Sequence, residues 1–423
     1  MTTMPVSNPH HPDVRLEPAW LDAHWMPFTA NRKFKADPRM FVAAKGAYYT
    51  DVDGRKIFDG LSGLWCTGLG HARPEIVEAV SRQIAKLDYV FFTGSGSEAA
   101  DTSLKMARAY WRAKGQAGKT RLIGREKAYH GVNFGGISVG GLAPNRKLFG
   151  QGIEADFLPH THLAENAFTR GQPQRGAELA DRLLDLIALH DASTIAAVIV
   201  EPFSGSAGVL VPPAGYLQRL RDICTAHDIL LIFDEVITGF GRVGATMAAE
   251  AFGVVPDIMN VAKQVTNGTQ PLGAVIASKA IYETFMQAGG PDYMLEFPHG
   301  YTYSAHPVAC AAAIATLDVL RNEDMAGRVS ALAPVFEEAV HSLKGSLHVL
   351  DIRNYGLAAG FSIAHAPGEP ARRPYEIAQR CWEKGFYVRY GSDTIQLAPP
   401  FIAEPREIDD LVNALGEALR QTD

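Results

Sequence analysis

Short apolar runs alternate with helical patterns through the middle of this 423-residue sequence. The runs lack the polar alternation expected of a strand with one face in water. They are "VFFT", "RLIG", "AAVIVEP", "LLIFDEV" and "GAVIAS", and the segments between them include "SEAADTSLKMARAYWRAKG" and "GYLQRLRDICTAHD". Strands that are buried on both faces and separated by helices predict an α/β protein with a mostly parallel sheet.

The two ends of the chain follow different patterns. The stretch "GAYYTDVDGRKIFDG" predicts a hairpin around Asp53-Gly54, and "RPEIVEAVSRQIAKL" predicts a helix with Pro74 in its first turn. From about His306 the pattern changes to a long Ala-rich helix followed by further helices and strands. This change predicts a smaller α+β domain at the C-terminal end of the chain.

Composition excludes several classes of function. The net charge is -6, and no basic run or aromatic-basic stripe suggests nucleic acid as a partner. No apolar run is long enough to span a bilayer, and the first twenty residues lack the apolar core of a signal peptide. The four cysteines are scattered without metal-site spacing, which indicates reduced thiols and a cytoplasmic location.

Lys263 is the only charged residue between Ile258 and Ala277. A buried, unpaired ammonium is costly because apolar surroundings cannot replace its hydration. One interpretation is a lysine whose stem is buried while its head reaches water. The other is a lysine that is deprotonated and acts as a nucleophile.

Two further motifs carry polar groups at predicted strand ends. In "VFFTGSGSEAAD" a strand leads through a Gly/Ser turn into a helix, with Ser95 and Glu98 spaced as a capping box. The free N–H groups of such a helix start form an anion site, although a purely structural turn is the competing interpretation. Asp234 and Glu235 end the run "LLIFDEV", and Glu201 ends "VIVEP". One of these carboxylates could be a helix cap, but two at strand ends favour a ligand site.

Together these elements predict one cofactor. Pyridoxal 5'-phosphate (PLP) needs a phosphate cradle, an Asp for its pyridine nitrogen and a Lys that forms a Schiff base with it. The order of Gly/Ser loop, Asp234 and Lys263 along the chain agrees with this set.

The chain closely resembles the class III aminotransferases of PLP fold-type I, and within them the ω-amino acid (β-alanine):pyruvate branch. Shared stretches cover nearly the whole sequence and include "DGLSGLWC", "FFTGSGSEAADTSLKMARAYWR", "YHGVN", "LLIFDEVITGFGR", "NVAKQVTNG", "HGYTYSAHPVACAA" and "VRYGSDT". The resemblance implies a large domain with a mostly parallel seven-stranded sheet flanked by helices, and a smaller α+β domain built from both chain ends. The implied bounds are residues 1–55 for an N-terminal segment of the small domain, 56–305 for the PLP-binding domain and 306–423 for the C-terminal small domain.

The resemblance also assigns the residues around the cofactor ring. Lys263 is expected to hold the cofactor covalently and then to move a proton as a general base. Asp234 is expected to pair with the pyridine nitrogen, Val236 and Tyr129 to pack on the two ring faces, and His130 to orient its neighbours.

Further residues are assigned to the phosphate and to the ring hydroxyl. Ser95, Gly96 and Ser97 are expected to hold the phosphate, and Glu201 to support the region of the ring hydroxyl. Thr302 is expected to reach the phosphate in a neighbouring subunit, which implies a homodimer or a dimer of dimers with shared active sites.

Substrate selection depends on a smaller set. Arg389 resembles a mobile arginine that binds a carboxylate through a bidentate pair, and Trp65 is expected to wall the amine pocket. Ornithine and GABA members of the class have a Glu where this chain has Ser206, which argues against those specificities. Gln264 matches the β-alanine:pyruvate branch, whereas Ser392 replaces its usual Gly. The expected substrates are therefore an amine or ω-amino acid and pyruvate.

One departure from the family lies between "AKLDY" and "VFFTGSGSE". Relatives carry an additional stretch there, whereas Tyr89 meets Val90 directly in this chain. Either this sequence omits a segment, or the protein truly lacks it and has an altered pocket.

Several other functions remain as alternatives, the first being a different amine transaminase of the same class. An aminomutase or decarboxylase of the same class would share the cofactor but not transfer an amino group to pyruvate. A non-catalytic PLP-binding protein would bind the cofactor without turnover. A nucleotide-binding dehydrogenase would use the Gly-rich turn, but it leaves Asp234 and Lys263 unexplained.

Overall fold

A computed structural model describes residues 39–73, 76, 90–288 and 295–423. Most of the helix predicted from "RPEIVEAVSRQIAKL" lies outside these residues. The hairpin predicted around Asp53-Gly54 is present, because strand β2 (Tyr48–Asp51) pairs antiparallel with β3 (Lys56–Asp59). Strand β1 (Phe41–Lys45) adds to this hairpin on one side.

The predicted mostly parallel sheet is present and has seven strands. They are β4 (Val90–Thr93), β5 (Arg121–Arg125), β6 (Ala155–Leu158), β7 (Ile195–Val200), β8 (Leu230–Asp234), β9 (Ile258–Val261) and β10 (Gly273–Ala277). Their order in the sheet is β4-β10-β9-β8-β7-β5-β6. Only β10 is antiparallel to its neighbours, so the other six strands run in one direction.

Helices cover both faces of this sheet. They are α1 (Gly96–Ala113), α2 (Phe134–Val139), α3 (Ala143–Phe149), α4 (Arg182–His190), α5 (Tyr216–Ala226), α6 (Ala248–Ala251) and α7 (Lys279–Ala288). A further short helical segment spans Ser62–Trp65.

Successive residues of the central strands enter two different cores. On one face, Leu104 and Trp111 of α1 belong to the same buried cluster as Ile232 of β8. On the other face, Leu217 of α5 is buried with Phe233 of β8. Every residue of β7 and β8 is buried, which explains why these strands have no polar alternation.

The C-terminal residues form the smaller α+β layer. Its strands are β11 (Val349–Tyr355), β12 (Ala358–Ile363), β14 (Arg389–Tyr390) and β15 (Thr394–Leu397), in the order β11-β12-β15-β14. Strand β13 (Phe386–Tyr387) instead pairs in parallel with β3 and joins the N-terminal hairpin. The accompanying helices are α8 (Pro307–Asn322), α9 (Met325–His341), α10 (Arg372–Glu383) and α11 (Pro405–Arg420).

Helix starts in this region follow the local sequence. Pro307 and Pro405 occupy first-turn positions, where the missing N–H would have no helical partner. Glu404 and Glu407 form a reciprocal capping box at the start of α11. Within the residues described above, no helix is both long enough and apolar enough to cross a bilayer. All four cysteines are unpaired.

Candidate active site

A cavity of about 540 Å³ lies where the parallel strands of the large sheet end. The loops that follow β4, β5, β7, β8 and β9 all contribute to its wall. Ligands of open α/β sheets bind at this edge, because there the connections diverge and leave a crevice.

The cavity brings together eleven of the twelve residues predicted from the sequence. They are Trp65, Ser95, Gly96, Ser97, Tyr129, His130, Glu201, Asp234, Val236, Lys263 and Arg389. Thr302 does not line it and is exposed to solvent. The cavity also includes residues that the sequence did not single out, among them Leu142, Asn145 and Gln270. These three lie on loops or helix starts without a motif, so no local pattern marks them.

The Gly/Ser turn forms the start of α1. Ser95 Oγ accepts a hydrogen bond from Glu98 N at 3.2 Å, as a capping box requires. The Glu98 carboxylate, however, accepts from Gly94 N at 2.6 Å, so it closes the turn one residue earlier than predicted. A Cβ at Gly96 would lie 3.0 Å from Val236 Cγ1, which shows how closely this backbone approaches the cavity wall.

The turn also connects to the loop after β5. Ser97 Oγ accepts from Val132 N at 3.1 Å. Gly131 has a φ of +92°, and a Cβ there would lie 2.5 Å from Ser97 Oγ. Glycine is therefore required at this close approach. The first-turn N–H groups of α1 and two serine side chains thus border one end of the cavity, as an anion site would need.

Asp234 and Glu235 have different surroundings. The Asp234 carboxylate borders the cavity, where His130 Nδ1 lies 2.8 Å from Oδ2 and Val236 N donates to Oδ1 at 3.2 Å. Glu235 turns away and accepts from Thr238 Oγ1, Ala248 N and Ala249 N. The Glu235 carboxylate therefore caps the start of α6, as one interpretation of this pair expected, and only Asp234 borders the cavity.

Glu201 is buried, and both of its oxygens accept backbone bonds. Tyr129 N donates to Oε1 at 3.0 Å and Gly205 N to Oε2 at 3.1 Å. Burial raises the pKa of the Glu201 carboxyl, and the nearby His130 opposes that rise. These bonds fix the loop that carries the Tyr129 ring.

Lys263 opens a short 3₁₀ turn directly after β9. Its φ is +52°, in the left-handed region that side chains rarely adopt. Two bonds hold the turn in place: Gly68 N donates to Gln264 Oε1 at 2.7 Å, and Leu69 N donates to Asn267 Oδ1 at 3.0 Å. Strain held by surrounding contacts is common at functional sites.

The surroundings of Lys263 favour its neutral form. Desolvation lowers the pKa of the Lys263 ammonium, while the negative charges of Asp234 and Glu201 oppose that shift. The positive charge of Arg389 adds to the lowering. A lysine on a cavity wall with a lowered pKa can act as a nucleophile or as a general base.

Trp65 and Arg389 also border the cavity. Trp65 is 2% exposed and packs in an apolar cluster with Leu61 and Phe203. Arg389 lies on β14, and its guanidinium forms no hydrogen bond or ion pair with the residues described here. A guanidinium on a cavity wall without an anionic partner is available to a carboxylate ligand.

Comparison with known proteins identifies relatives over most of the chain. The model of the family "Aminotransferase class-III" matches residues 30–90 and 84–419. A "Beta-alanine--pyruvate aminotransferase" of Pseudomonas aeruginosa is 58% identical, over 94% of this chain and 96% of that protein. An "Omega-amino acid--pyruvate aminotransferase" of Pseudomonas putida is 55% identical, over 95% and 96%. The crystal structure of a PLP-bound amine transaminase from an uncultivated Pseudomonas species has a TM-score of 0.86 and 33% identity, and the match covers 95% of this chain and 99% of that one.

The comparisons also locate the family departure before β4. The family match breaks into two parts that overlap at residues 84–90. The alignment with the Pseudomonas aeruginosa protein has 428 positions. It includes 94% of the 423 residues of this chain, which is about 398. The difference, about 30 positions, consists of residues of that relative that have no counterpart in this chain. This agrees with a stretch that relatives have and this sequence lacks.

Proposed function

The chain belongs to the class III aminotransferases, which depend on PLP, and we propose that it transfers an amino group from an ω-amino acid or amine such as β-alanine to pyruvate. The products are alanine and the aldehyde, ketone or semialdehyde of the donor. The observation that carries this proposal is that Lys263, Asp234 and the Gly/Ser turn border one cavity.

The residues present suit the cofactor. When bound, PLP supplies an electron-withdrawing ring that weakens a C–H bond next to the substrate nitrogen. Lys263 would hold the cofactor and, once released, its Nζ would take the proton from that carbon, because its lowered pKa leaves an amine able to accept it. Asp234 would face the pyridine nitrogen and keep it protonated.

The remaining cavity residues would bind and orient the cofactor. Ser95, Gly96 and Ser97 would hold the phosphate at the start of α1, where the helix dipole favours an anion. Tyr129 and Val236 would pack on opposite faces of the ring. Glu201 and His130 would act by fixing Tyr129 and Asp234, to which they are bonded.

Arg389 supports pyruvate as the amino acceptor. Its guanidinium can bind a carboxylate through two parallel bonds, and it borders the same cavity as Lys263 and Trp65. Ser206, which also borders the cavity, leaves Arg389 without a carboxylate partner in this loop. Arg389 would therefore bind pyruvate and turn aside for donors without a nearby carboxylate.

Net amino transfer separates this function from an aminomutase or a decarboxylase. Purified protein loaded with PLP is incubated with unlabelled β-alanine and ¹³C-labelled pyruvate, and the alanine formed is quantified by mass spectrometry. We expect one ¹³C-labelled alanine for each β-alanine consumed, because the carbon skeleton of the product comes from pyruvate. Unlabelled alanine would indicate an aminomutase, and consumption of β-alanine without any alanine would indicate a decarboxylase; either result would contradict the proposal.

We also propose a homodimer or a dimer of dimers in the cytoplasm, with active sites shared between subunits. The support is an exposed apolar surface next to the cavity residues Leu142 and Asn145: Phe134 is 70% exposed, Leu148 77% and Phe149 57%. Exposed apolar patches of this kind are typical of protein interfaces. Thr302 is exposed as well, as a residue that completes a neighbouring site would be. We retain the division into residues 1–55, 56–305 and 306–423 as part of this proposal.

A further inference from the structure

Four residues form a row across the C-terminal sheet. Arg353 on β11 is the register partner of Gly360 on β12, Gly360 is the partner of Gln396 on β15, and Gln396 is the partner of Arg389 on β14. Register partners in antiparallel strands project to the same face, with Cβ atoms about 4.5–5.5 Å apart. Gln396 therefore stands directly beside Arg389, on the same side of the sheet.

This face packs against the loop that carries Ser206. Arg353 Nε donates to Gly208 O at 2.7 Å, and Gln396 Nε2 donates to Ser206 O at 3.1 Å. A Cβ at position 360 would lie 1.9 Å from Gly208 O, so a glycine is needed to let the loop approach. The Gln396 amide is thus fixed between Arg389 and a loop that borders the cavity.

Gln396 has one unused hydrogen-bonding atom. The residue is 0% exposed, and its Oε1 has no donor among the described residues. A buried carbonyl oxygen without a donor is unfavourable, because it has lost its water and gained nothing in return. A donor that could reach Gln396 Oε1 would remove this cost, but none of the contacts in the described part of the chain provides one.

Arg389, in contrast, has hydrogen-bond donors that lack an acceptor. A guanidinium carries five N–H donors and no acceptor, and none of its donors is engaged within the described chain. Its charge nevertheless acts on the cavity. Desolvation lowers the pKa of Lys263, and the charge of Arg389 adds to that lowering. Burial raises the pKa of Tyr129, and the charge of Arg389 opposes that rise. Among the described residues, the guanidinium of Arg389, which has no acceptor, therefore lies beside Oε1 of Gln396, which has no donor.

We propose that Gln396 Oε1 is the docking acceptor for the Arg389 guanidinium when that side chain is turned away from a substrate carboxylate. This inference rests on the proposed function, and it makes Gln396 a residue that helps Arg389 accept substrates both with and without a carboxylate. A neutral amide holds a guanidinium more weakly than a carboxylate would, because only one partner is charged. Arg389 can then leave Gln396 to bind pyruvate and return to it when the donor has no carboxylate to offer.

Two substitutions should change, in opposite directions, how strongly position 396 holds the Arg389 guanidinium. Gln396→Met keeps the size but removes the docking acceptor, whereas Gln396→Glu replaces it with an anion. Neither side chain can donate to Ser206 O as Nε2 does, so the loss of that bond is common to both. An opposite effect of the two variants therefore cannot come from the Ser206 contact.

The readouts are carboxylate binding and the amine half-reaction. Binding of propionate, which has no reactive carbonyl, is measured by calorimetry on the cofactor-free protein. The half-reaction with benzylamine, which has no carboxylate, is followed in a single turnover on the loaded protein. The unfolding temperature of each variant is recorded, and Ser392→Gly in the adjoining turn is the matched control.

For Gln396→Glu we expect propionate Kd and pyruvate KM to rise about tenfold, with the benzylamine step within about twofold of wild type. For Gln396→Met we expect the benzylamine step to lose about three- to tenfold in efficiency, with propionate Kd within about twofold. Equal losses in both readouts for both variants, or no change in either, would overturn the proposal. Ser392→Gly should match wild type in both.

A second measurement needs no variant. Crystal structures of the loaded wild-type protein with and without propionate should show an Arg389 nitrogen within about 3.2 Å of Gln396 Oε1 only when propionate is absent. A guanidinium that never approaches Oε1 would refute the docking role. If wild type forms no alanine from pyruvate, the proposed function fails instead, and the propionate experiments still test Gln396.

Discussion

The ring nitrogen Nδ1 of His130 lies 2.8 Å from the carboxylate oxygen Oδ2 of Asp234, and both side chains are buried. Because an ionised carboxylate only accepts hydrogen bonds, Nδ1 is the nitrogen that carries the proton. With Val236 N bound to the other carboxylate oxygen, Asp234 has one fixed orientation towards the cavity.

The first prediction concerns this pair. His130→Leu should lower kcat/KM about 10- to 100-fold while PLP still binds, because Asp234 loses its orientation and a buried hydrogen bond. His130→Asn should recover most of that loss, since its amide can donate from near the position of Nδ1. The check is steady-state kinetics together with PLP titration. Equal loss in both variants would show that the ring is needed for packing alone.

The second prediction concerns Lys263. Lys263→Ala should still bind PLP but lose at least about 10³-fold in turnover, because the base that moves the substrate proton is gone. Lys279→Ala removes an exposed lysine that pairs with Glu283 and should behave as wild type. Alanine formation measures both variants. Retained turnover in Lys263→Ala would remove this residue from the chemistry.

The third prediction separates the two half-reactions. Arg389→Ala should lower the efficiency with pyruvate about 100-fold through the lost bidentate pair, but change a carboxylate-free amine less than about threefold. Arg372→Ala, an exposed arginine bonded to Glu369 and Glu376, serves as the control. Single-turnover kinetics give each half-reaction separately. Equal losses in the two would assign Arg389 a structural role.

The fourth prediction follows from the lowered pKa of Lys263. Between that lowered value and the ordinary value of 10.5, the unfolded chain binds more protons at this site than the folded chain does. The free energy of unfolding therefore increases with pH across this window. Below the folded pKa, the burial of charged Lys263 lowers the free energy of unfolding by its full amount. Lys263→Met should raise the unfolding temperature of the cofactor-free protein at pH 7, and this gain should shrink towards pH 10.5. A gain that stays constant with pH would contradict it.

The fifth prediction tests the proposed interface. Phe134→Asp combined with Leu148→Asp should shift the protein to monomers and reduce activity at least about tenfold, because charges are disfavoured at the centre of an apolar interface. Leu189→Asp changes a residue that is 73% exposed elsewhere and should leave assembly intact. Light scattering after size exclusion reports the mass. A monomeric wild-type protein with full activity would refute the shared-site proposal.

The α/β class and the strands around the cavity could be predicted because the apolar runs reflect burial on both faces. The position of Lys263 and Asp234 at one cavity could also be anticipated, because a lone charge in an apolar stretch and a carboxylate at a strand end both suggest a ligand site. The separate roles of Asp234 and Glu235 could not, because adjacent side chains diverge and only the fold shows which one reaches α6. Gln396 gave no local signal at all: its importance depends on the register of β14 and β15, which pairs it with a residue seven positions earlier.

A visible spectrum of the PLP-loaded protein, recorded before and after β-alanine and again after pyruvate, tests amino transfer through Lys263 directly. We expect the band of the lysine-bound cofactor to bleach with β-alanine and to return with pyruvate, because each half-reaction changes the cofactor reversibly. A band that neither β-alanine nor other amines alter would contradict the assignment as a transaminase.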